Sequence, residues 1–162
     1  METACLDVPF LEQAVERYAD MILRIAYQNL KNQADAEDVA QQVFLKLIGQ
    51  PTADFHEEEH LKAWLIRVTV NLCKDHWKSA WRRRTVPLPE PEEVWQPPDA
   101  PRQEVLEQLW LLPQNYRNVL YLYYFEGYSL PEIGRLLDKK ENTVRSQLTR
   151  GRRRLRDLLR EE

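Results

Sequence analysis

Residues 61–84 read LKAWLIRVTVNLCKDHWKSAWRRR, and their spacing predicts one long helix that changes character along its length. Leu61, Leu65, Val68 and Leu72 recur at helical spacing, and Ile66, Val70 and Cys73 add a second stripe. The first half is therefore expected to be buried on both sides. Beyond Cys73 the apolar positions shrink to Trp77 and Trp81, one turn apart and interleaved with Lys74, Lys78, Arg82, Arg83 and Arg84. Two chemistries fit that pattern. Aromatic faces can receive unpaired bases while the cations follow phosphates, which suits single-stranded or melting DNA better than a closed duplex. Alternatively, the tryptophans are packing residues at the solvated end of a helix.

The rest of the chain sets the context. Its 162 residues, 43% of them hydrophobic, suit one ordinary domain or two small ones with folded cores. Four glycines point to a helical protein with few tight turns. The net charge of −3 alone argues against a nucleic-acid binder, but the charge is segregated. Residues 61–84 carry seven basic groups against one acidic, and residues 129–160 carry ten against four. Residues 1–60 carry four against twelve, and residues 85–108 one against six. Two basic stretches alternating with acidic ones are what a protein touching nucleic acid in two places needs. Cys5 and Cys73 cannot make a disulfide framework, and no apolar run has the length of a signal peptide or a membrane span. The expectation is a soluble cytoplasmic chain with no direct membrane insertion.

In chain order, Asp7 can cap a first helix, with Phe10, Leu11, Ala14, Tyr18, Met21, Ile22 and Ile25 on its apolar face and an end near Leu30. A second helix is expected from Gln33 to Ile48. Asp35, Glu37 and Asp38 lie in its first turns, and Ala36, Ala40, Val43, Phe44, Leu47 and Ile48 form its apolar face. Gly49 and Pro51 should stop it. Its polar face, with Asp35, Asp38, Gln41, Gln42 and Lys46, is either solvated or a docking surface for another protein. His56 to His60 spell HEEEH, matching the zinc-protease pattern. The match falls in a loop or at a helix start, and no third ligand is evidently placed, so no metal, cofactor or catalytic residue is expected.

Six prolines and four acidic residues between Thr85 and Pro101 exclude a helix and predict an extended acidic linker. Near polyproline II geometry it spans at most about 50 Å. The fold class is thus all-α. Two small helical domains, residues 1–84 and 102–162, are joined by a Pro-rich acidic linker, residues 85–101. In the second domain, a helix from Gln103 to Leu112 precedes one opened by Pro113 and ended by Gly127. Ser129 and Glu132 have the spacing of a capping box before a short helix carrying Leu130, Ile133, Leu136 and Leu137. Asp138 to Lys140 make a turn, and a long basic helix runs from Asn142 to about Leu159. This is a helix-turn-helix, whose second helix enters the major groove with Glu141, Asn142, Thr143, Arg145, Ser146, Thr149 and Arg150 as candidate contacts. Arginines further along, such as Arg153, fix register on phosphates. A basic amphipathic helix for RNA, a membrane or a calmodulin-like partner is the alternative.

The stretches DAEDVAQQVFLKL (Asp35 to Leu47), KAWLIRVTVNLCKDHW (Lys62 to Trp77), LPQNYRNVLYLYYFEGYSLPEIGRLL (Leu112 to Leu137) and NTVRSQLTRGRRRL (Asn142 to Leu155) stand in this order around the acidic linker. In this arrangement the chain resembles the extracytoplasmic-function sigma factors of bacterial RNA polymerase, which retain only the second and fourth conserved regions of larger sigma factors. The resemblance implies a non-catalytic specificity subunit that binds core RNA polymerase, recruits it to promoter DNA and promotes strand opening.

It also implies roles for particular residues. Asp35, Glu37, Asp38 and Gln41 would grip the clamp helices of the polymerase's largest subunit, and the fourth region would meet the flap of the second-largest. The loop from Asp54 to His60, with Phe55, would capture a flipped base of the minus-ten box. Asn71, Lys74, Trp77, Lys78 and Arg82 would line the melted strand. Asn142, Thr143, Arg145, Ser146, Thr149, Arg150 and Arg153 would read the minus-thirty-five box. The linker would thread the polymerase, and an anti-sigma factor is an expected partner. Two positions depart from the family. Glu57 to Glu59 put negative charge in the base-capturing loop, and Gln147 stands where many members have a basic residue. A free-standing repressor or activator, using only the helix-turn-helix, is the competing reading.

Overall fold

The computed structural model describes residues 8–50, 55, 57–83 and 103–160, with the side chains of 79–83 and 103–106 excepted. The described residues form seven helices and no strand. The chain divides into two compact units, Met1–Pro97 and Pro98–Glu162. The first holds α1 (Val8–Leu30), α2 (Gln33–Ile48) and α3 (Glu58–Arg83). The second holds α4 (Gln103–Trp110), α5 (Gln114–Tyr124), α6 (Leu130–Leu137) and α7 (Glu141–Arg160). The expected Asp7 cap, Pro51 and the linker over residues 85–101 lie outside the described residues. Among the described residues no helix is long and apolar enough to cross a membrane.

In the first unit α1 buries Ala14, Tyr18, Met21 and Ile22 on one face, and then every residue from Ile25 to Leu30. Buried Asn29 satisfies its amide by donating to the Ile25 carbonyl at 2.7 Å. The link to α2 is only two residues long. Lys31 takes the left-handed conformation (φ 54), which turns the chain, and Asn32 caps α2 by accepting the Asp35 N–H at 2.9 Å. Gly49 was expected to stop α2, and the helix ends at Ile48 with Gly49 as its C-cap. It lies at φ −79 and closes a last turn by donating to the Lys46 carbonyl. In α3, Leu61, Leu65, Ile66, Val70 and Cys73 are buried as the spacing required, while Val68 and Leu72 are half-buried. Thr69 is also fully buried, which its polarity hid. Its hydroxyl donates back to the Leu65 carbonyl at 2.6 Å and so enters the core satisfied.

In the second unit α4 ends at Trp110, two residues before the expected Leu112, and α7 begins at Glu141, one residue early. Gly127, at φ 74, lets the chain reverse after α5, with the Tyr128 N–H on the Leu122 carbonyl at 3.0 Å. The Ser129–Glu132 capping box is formed in both directions. The α6–α7 turn depends on two residues. Asp138 takes the left-handed conformation (φ 56), and Gly134 lets the turn close against α6, since a Cβ there would sit 2.7 Å from the Lys139 carbonyl oxygen. α7 buries Val144, Leu148 and Gly151 in one stripe, with Leu155 and Leu158 half-buried below. At Gly151 it crosses α5 so closely that a Cβ would lie 3.0 Å from Leu120 Cδ1 and 3.1 Å from Tyr116 Cβ.

Candidate nucleic-acid interfaces

The exposed face of α3 carries Arg67, Asn71, Lys74 and Lys78, spaced four, three and four residues apart and so aligned on one side of the helix. Asn71, Lys74 and Lys78 were expected there; Arg67 was hidden because the first half of the helix read as core. Trp77 is both exposed and anchored. It is 39% exposed, yet its indole Nε1–H donates to the Asn29 carbonyl at 2.7 Å, which fixes the ring against the end of α1. Beside it, His76 Nε2 lies 3.3 Å from Asp35 Oδ2 at the start of α2. The side chains of Trp81 and Arg82 lie outside the described residues.

Phe55, expected to meet a flipped base, sits in an aromatic cluster. It is buried, stacked on Phe10 (6.4 Å between ring centroids) and met edge-on by His60 at 5.9 Å and Trp64 at 5.5 Å. Its apolar ring gains more from that aromatic cluster than from solvent. An open cavity of about 200 Å³ lies beside it, lined by Phe10, Gln13, Tyr18, Phe55, Glu57 and Glu58 among others. Glu58 pairs with Arg17 at this wall. Of the HEEEH stretch, His56 lies outside the described residues and His60 is engaged with Phe55.

On α2, Glu37, Asp38 and Gln41 are exposed, and so are Leu45 (66%) and Ile48 (45%) on the same side. Ile48 was assigned to the core face and instead extends this outer one. Asp35 stands apart, half-buried on the flank of α2 that meets α3.

Asn142, Thr143, Arg145, Ser146, Thr149, Arg150 and Arg153 of α7 are all exposed, away from the buried stripe. Arg145 is held by Glu141 one turn earlier (3.2 Å), and the Thr149 hydroxyl donates to the Arg145 carbonyl at 3.0 Å. The remaining arginines are divided by contacts the sequence did not show. Arg152 lies over Tyr123 and Tyr124 (5.8 and 5.5 Å) and bonds the Tyr124 hydroxyl, while Arg154 lies 5.3 Å from the Tyr116 ring centre. Gln147, the departure noted above, accepts from Lys139 Nζ at 3.2 Å and braces the turn.

Residues 14–83 match sigma-70 region 2, and residues 102–155 match sigma-70 region 4. The chain belongs to the sigma-70 family. Its relatives place it in the extracytoplasmic-function group. The ECF RNA polymerase sigma factor SigE of Mycolicibacterium smegmatis is 33% identical over 94% of this chain and 62% of its own length. The ECF sigma factor SigW of Bacillus subtilis is 29% identical over 91% of this chain and 87% of its own. Among solved structures, the sigma factor RpoE of Bartonella quintana, in complex with the anti-sigma factor NepR, shares the fold. Its TM-score is 0.75 at 20% identity, over 94% of this chain and 98% of that one.

Within this sigma factor, region 2 carries α1 to α3 and region 4 carries α4 to α7. The sequence reading missed Leu45 and Ile48, which helical spacing from Glu37 and Gln41 could have revealed. It also missed Arg117 in α5, which is buried. Burial pushes its guanidinium down to about 10, and its Nε and Nη1 meet no hydrogen-bond partner among the described residues. An arginine one position from a polar neighbour gives no signal of that burial.

Proposed function

We propose that this sigma factor binds core RNA polymerase, directs it to specific promoters and promotes strand opening, in the cytoplasm and without catalysing a reaction itself. The observation that carries the proposal is the pair of exposed polar and cationic helix faces in separate units of a sigma-70 chain. One is Arg67–Asn71–Lys74–Lys78 on α3; the other is the outer face of α7.

Opening a duplex costs a few kilocalories per mole per unstacked step, which contacts available only to the open strand must offset. α3 supplies cations and an amide along a rigid helix, with Arg82 continuing its register. The cavity beside Phe55 supplies a place for a base, since a cavity of about 150 Å³ already admits a benzene ring. Phe55 forms its wall, and Glu57 at the same wall can accept hydrogen bonds from an exocyclic amino group of cytosine or adenine. Glu57 thereby selects a base where it cannot hold a phosphate. In the minus-thirty-five box Arg145, Arg150, Asn142 and Thr149 reach base edges, while Thr143, Ser146 and Arg153 set register on phosphates.

The exposed face of α2, with Glu37, Asp38 and Gln41 beside Leu45 and Ile48, is the docking surface for the clamp helices of the largest polymerase subunit. Its mix of acid and apolar groups suits a basic amphipathic partner. Region 4 meets the flap of the second-largest subunit, and an anti-sigma factor restrains the protein when its regulon is silent. Run-off transcription with purified core polymerase tests the reading. Specific initiation on a selected promoter supports it. Sequence-specific duplex binding without polymerase, and no initiation with it, supports the free-standing regulator instead.

A further inference from the structure

We infer that Asp35, His76 and Trp77 form a brace that holds the strand-facing helix in register, so that Asp35 is a positioning residue for promoter opening rather than a polymerase contact. The inference rests on the reading of α3 as the helix that holds the open strand.

Three observations support it. Past Cys73, none of the α3 residues with described side chains is buried, so lateral packing no longer fixes the helix where Lys74 and Lys78 stand. At that point two successive residues reach back to the α1–α2 corner. The Trp77 indole N–H donates to the Asn29 carbonyl at 2.7 Å, and His76 Nε2 lies 3.3 Å from Asp35 Oδ2. The corner itself is fixed by the left-handed Lys31 and by Asn32, which accepts the N–H of Asp35. Asp35 thus receives order from its own cap and passes it to α3. Glu37, Asp38 and Gln41 are exposed, while Asp35 is half-buried against α3. A carboxylate so placed has an acceptor edge committed to imidazole and less to offer a partner.

The brace also settles what Trp77 does. An indole anchored by its N–H has a fixed ring plane, so any base that stacks on it meets a preset surface rather than a mobile one.

The test is open-complex formation by the full-length protein with core polymerase, on a duplex promoter and on the same promoter pre-melted across the minus-ten region. Core affinity is measured in parallel. Asp35→Asn and His76→Leu are each expected to slow opening of the duplex roughly two- to fivefold, as for an exposed pair. The double variant is expected to be no worse than either single, and His76→Lys should restore the rate by returning a donor to Asp35. Trp77→Phe keeps a ring and loses the donor, and should slow opening about fivefold. All of these should recover on the pre-melted template with unchanged core affinity.

Additive single effects, equal defects on both templates, or a loss of core affinity confined to Asp35→Asn would overturn the inference, the last restoring Asp35 as a polymerase contact. Lys74→Ala in the same assay separates the two levels. If it opens the duplex normally, the reading of α3 itself fails; if only the brace variants are silent, the brace alone fails.

Discussion

α3 and α7 are both long helices rich in cations, of 26 and 20 residues, but they divide core from surface in different directions. α7 divides around its circumference. One stripe from Val144 through Gly151 is buried along the helix, and the opposite face is open throughout. α3 divides along its length, with burial concentrated between Leu61 and Cys73 and described exposed residues beyond. A stripe positions α7 by interdigitation with α5, whereas the end of α3 needs point contacts at the α1–α2 corner. The difference suits the two tasks proposed for them. A helix that reads a closed groove needs one straight exposed face, and a helix that holds an open strand needs a rigid root and a projecting end.

The largest effects should come from breaking the two kinds of packing. Ile66→Ala removes a fully buried side chain from the root of α3, and about 2–5 kcal/mol of stability should be lost. Hydrogen exchange should locate that loss in α1 to α3 and leave α5 to α7 protected. Gly151→Leu should do the converse. With only 3.0–3.1 Å between a Cβ and Leu120 or Tyr116, overpacking should cost about 1–3 kcal/mol, confined to α5 to α7. If either substitution unfolds both units together, the comparison between independently built helices fails.

The arginines of α7 sharpen the same contrast. Arg153→Ala should weaken duplex binding and lower the slope of log affinity against log salt by about one, because it faces outward. Arg152→Ala should leave that slope intact and cost roughly 0.5–1 kcal/mol of stability, because its guanidinium lies over Tyr123 and Tyr124. Titrating salt in an anisotropy assay distinguishes them.

What the sequence disclosed follows from which forces are periodic. Helical spacing located α2 within its observed bounds and the Ser129–Glu132 box on α6, because apolar repeats and caps are local signals. The outward set on α7 was legible for the same reason. Contacts between distant residues were not. Nothing near Trp77 announces Asn29, 48 positions away, and nothing near Arg152 announces Tyr124, 28 positions away. The partners of Phe55 were hidden for the same reason, since nothing beside an aromatic residue in a loop announces Phe10 and Trp64. Thr69 was overlooked because a hydroxyl that bonds its own helix behaves as an apolar group.

Two smaller effects bear on the root of α3 and the cap of α6. Burial pushes the Cys73 thiol up to about 12, so in a Cys5→Ser variant it should resist iodoacetamide at pH 8 until the protein unfolds. A folded-state value above the unfolded one means that its stabilising contribution is complete below the ordinary thiol range and is lost as pH rises towards 12. Rapid alkylation of the native protein would show a root looser than described. The Glu132 carboxyl is held below its ordinary range by the Ser129 hydroxyl and then by the Ser129 N–H. Its contribution is present above the unfolded carboxyl range and is lost as pH falls through the lowered folded value. Glu132→Gln should slightly reduce the fall in region 4 stability on acidification, measured by thermal unfolding across pH 3 to 6, a range taken from about the ordinary carboxylate values.

The division of labour between the two helices is tested most directly by run-off transcription with core polymerase on matched duplex and pre-melted promoters. The variants to compare are Lys74→Ala with Lys78→Ala on α3 and Arg150→Ala with Arg153→Ala on α7. The account predicts that the α3 variant fails on duplex DNA and recovers on the pre-melted template, while the α7 variant is impaired equally on both. Recovery of the α7 variant on pre-melted DNA, or persistent failure of the α3 variant there, would contradict it.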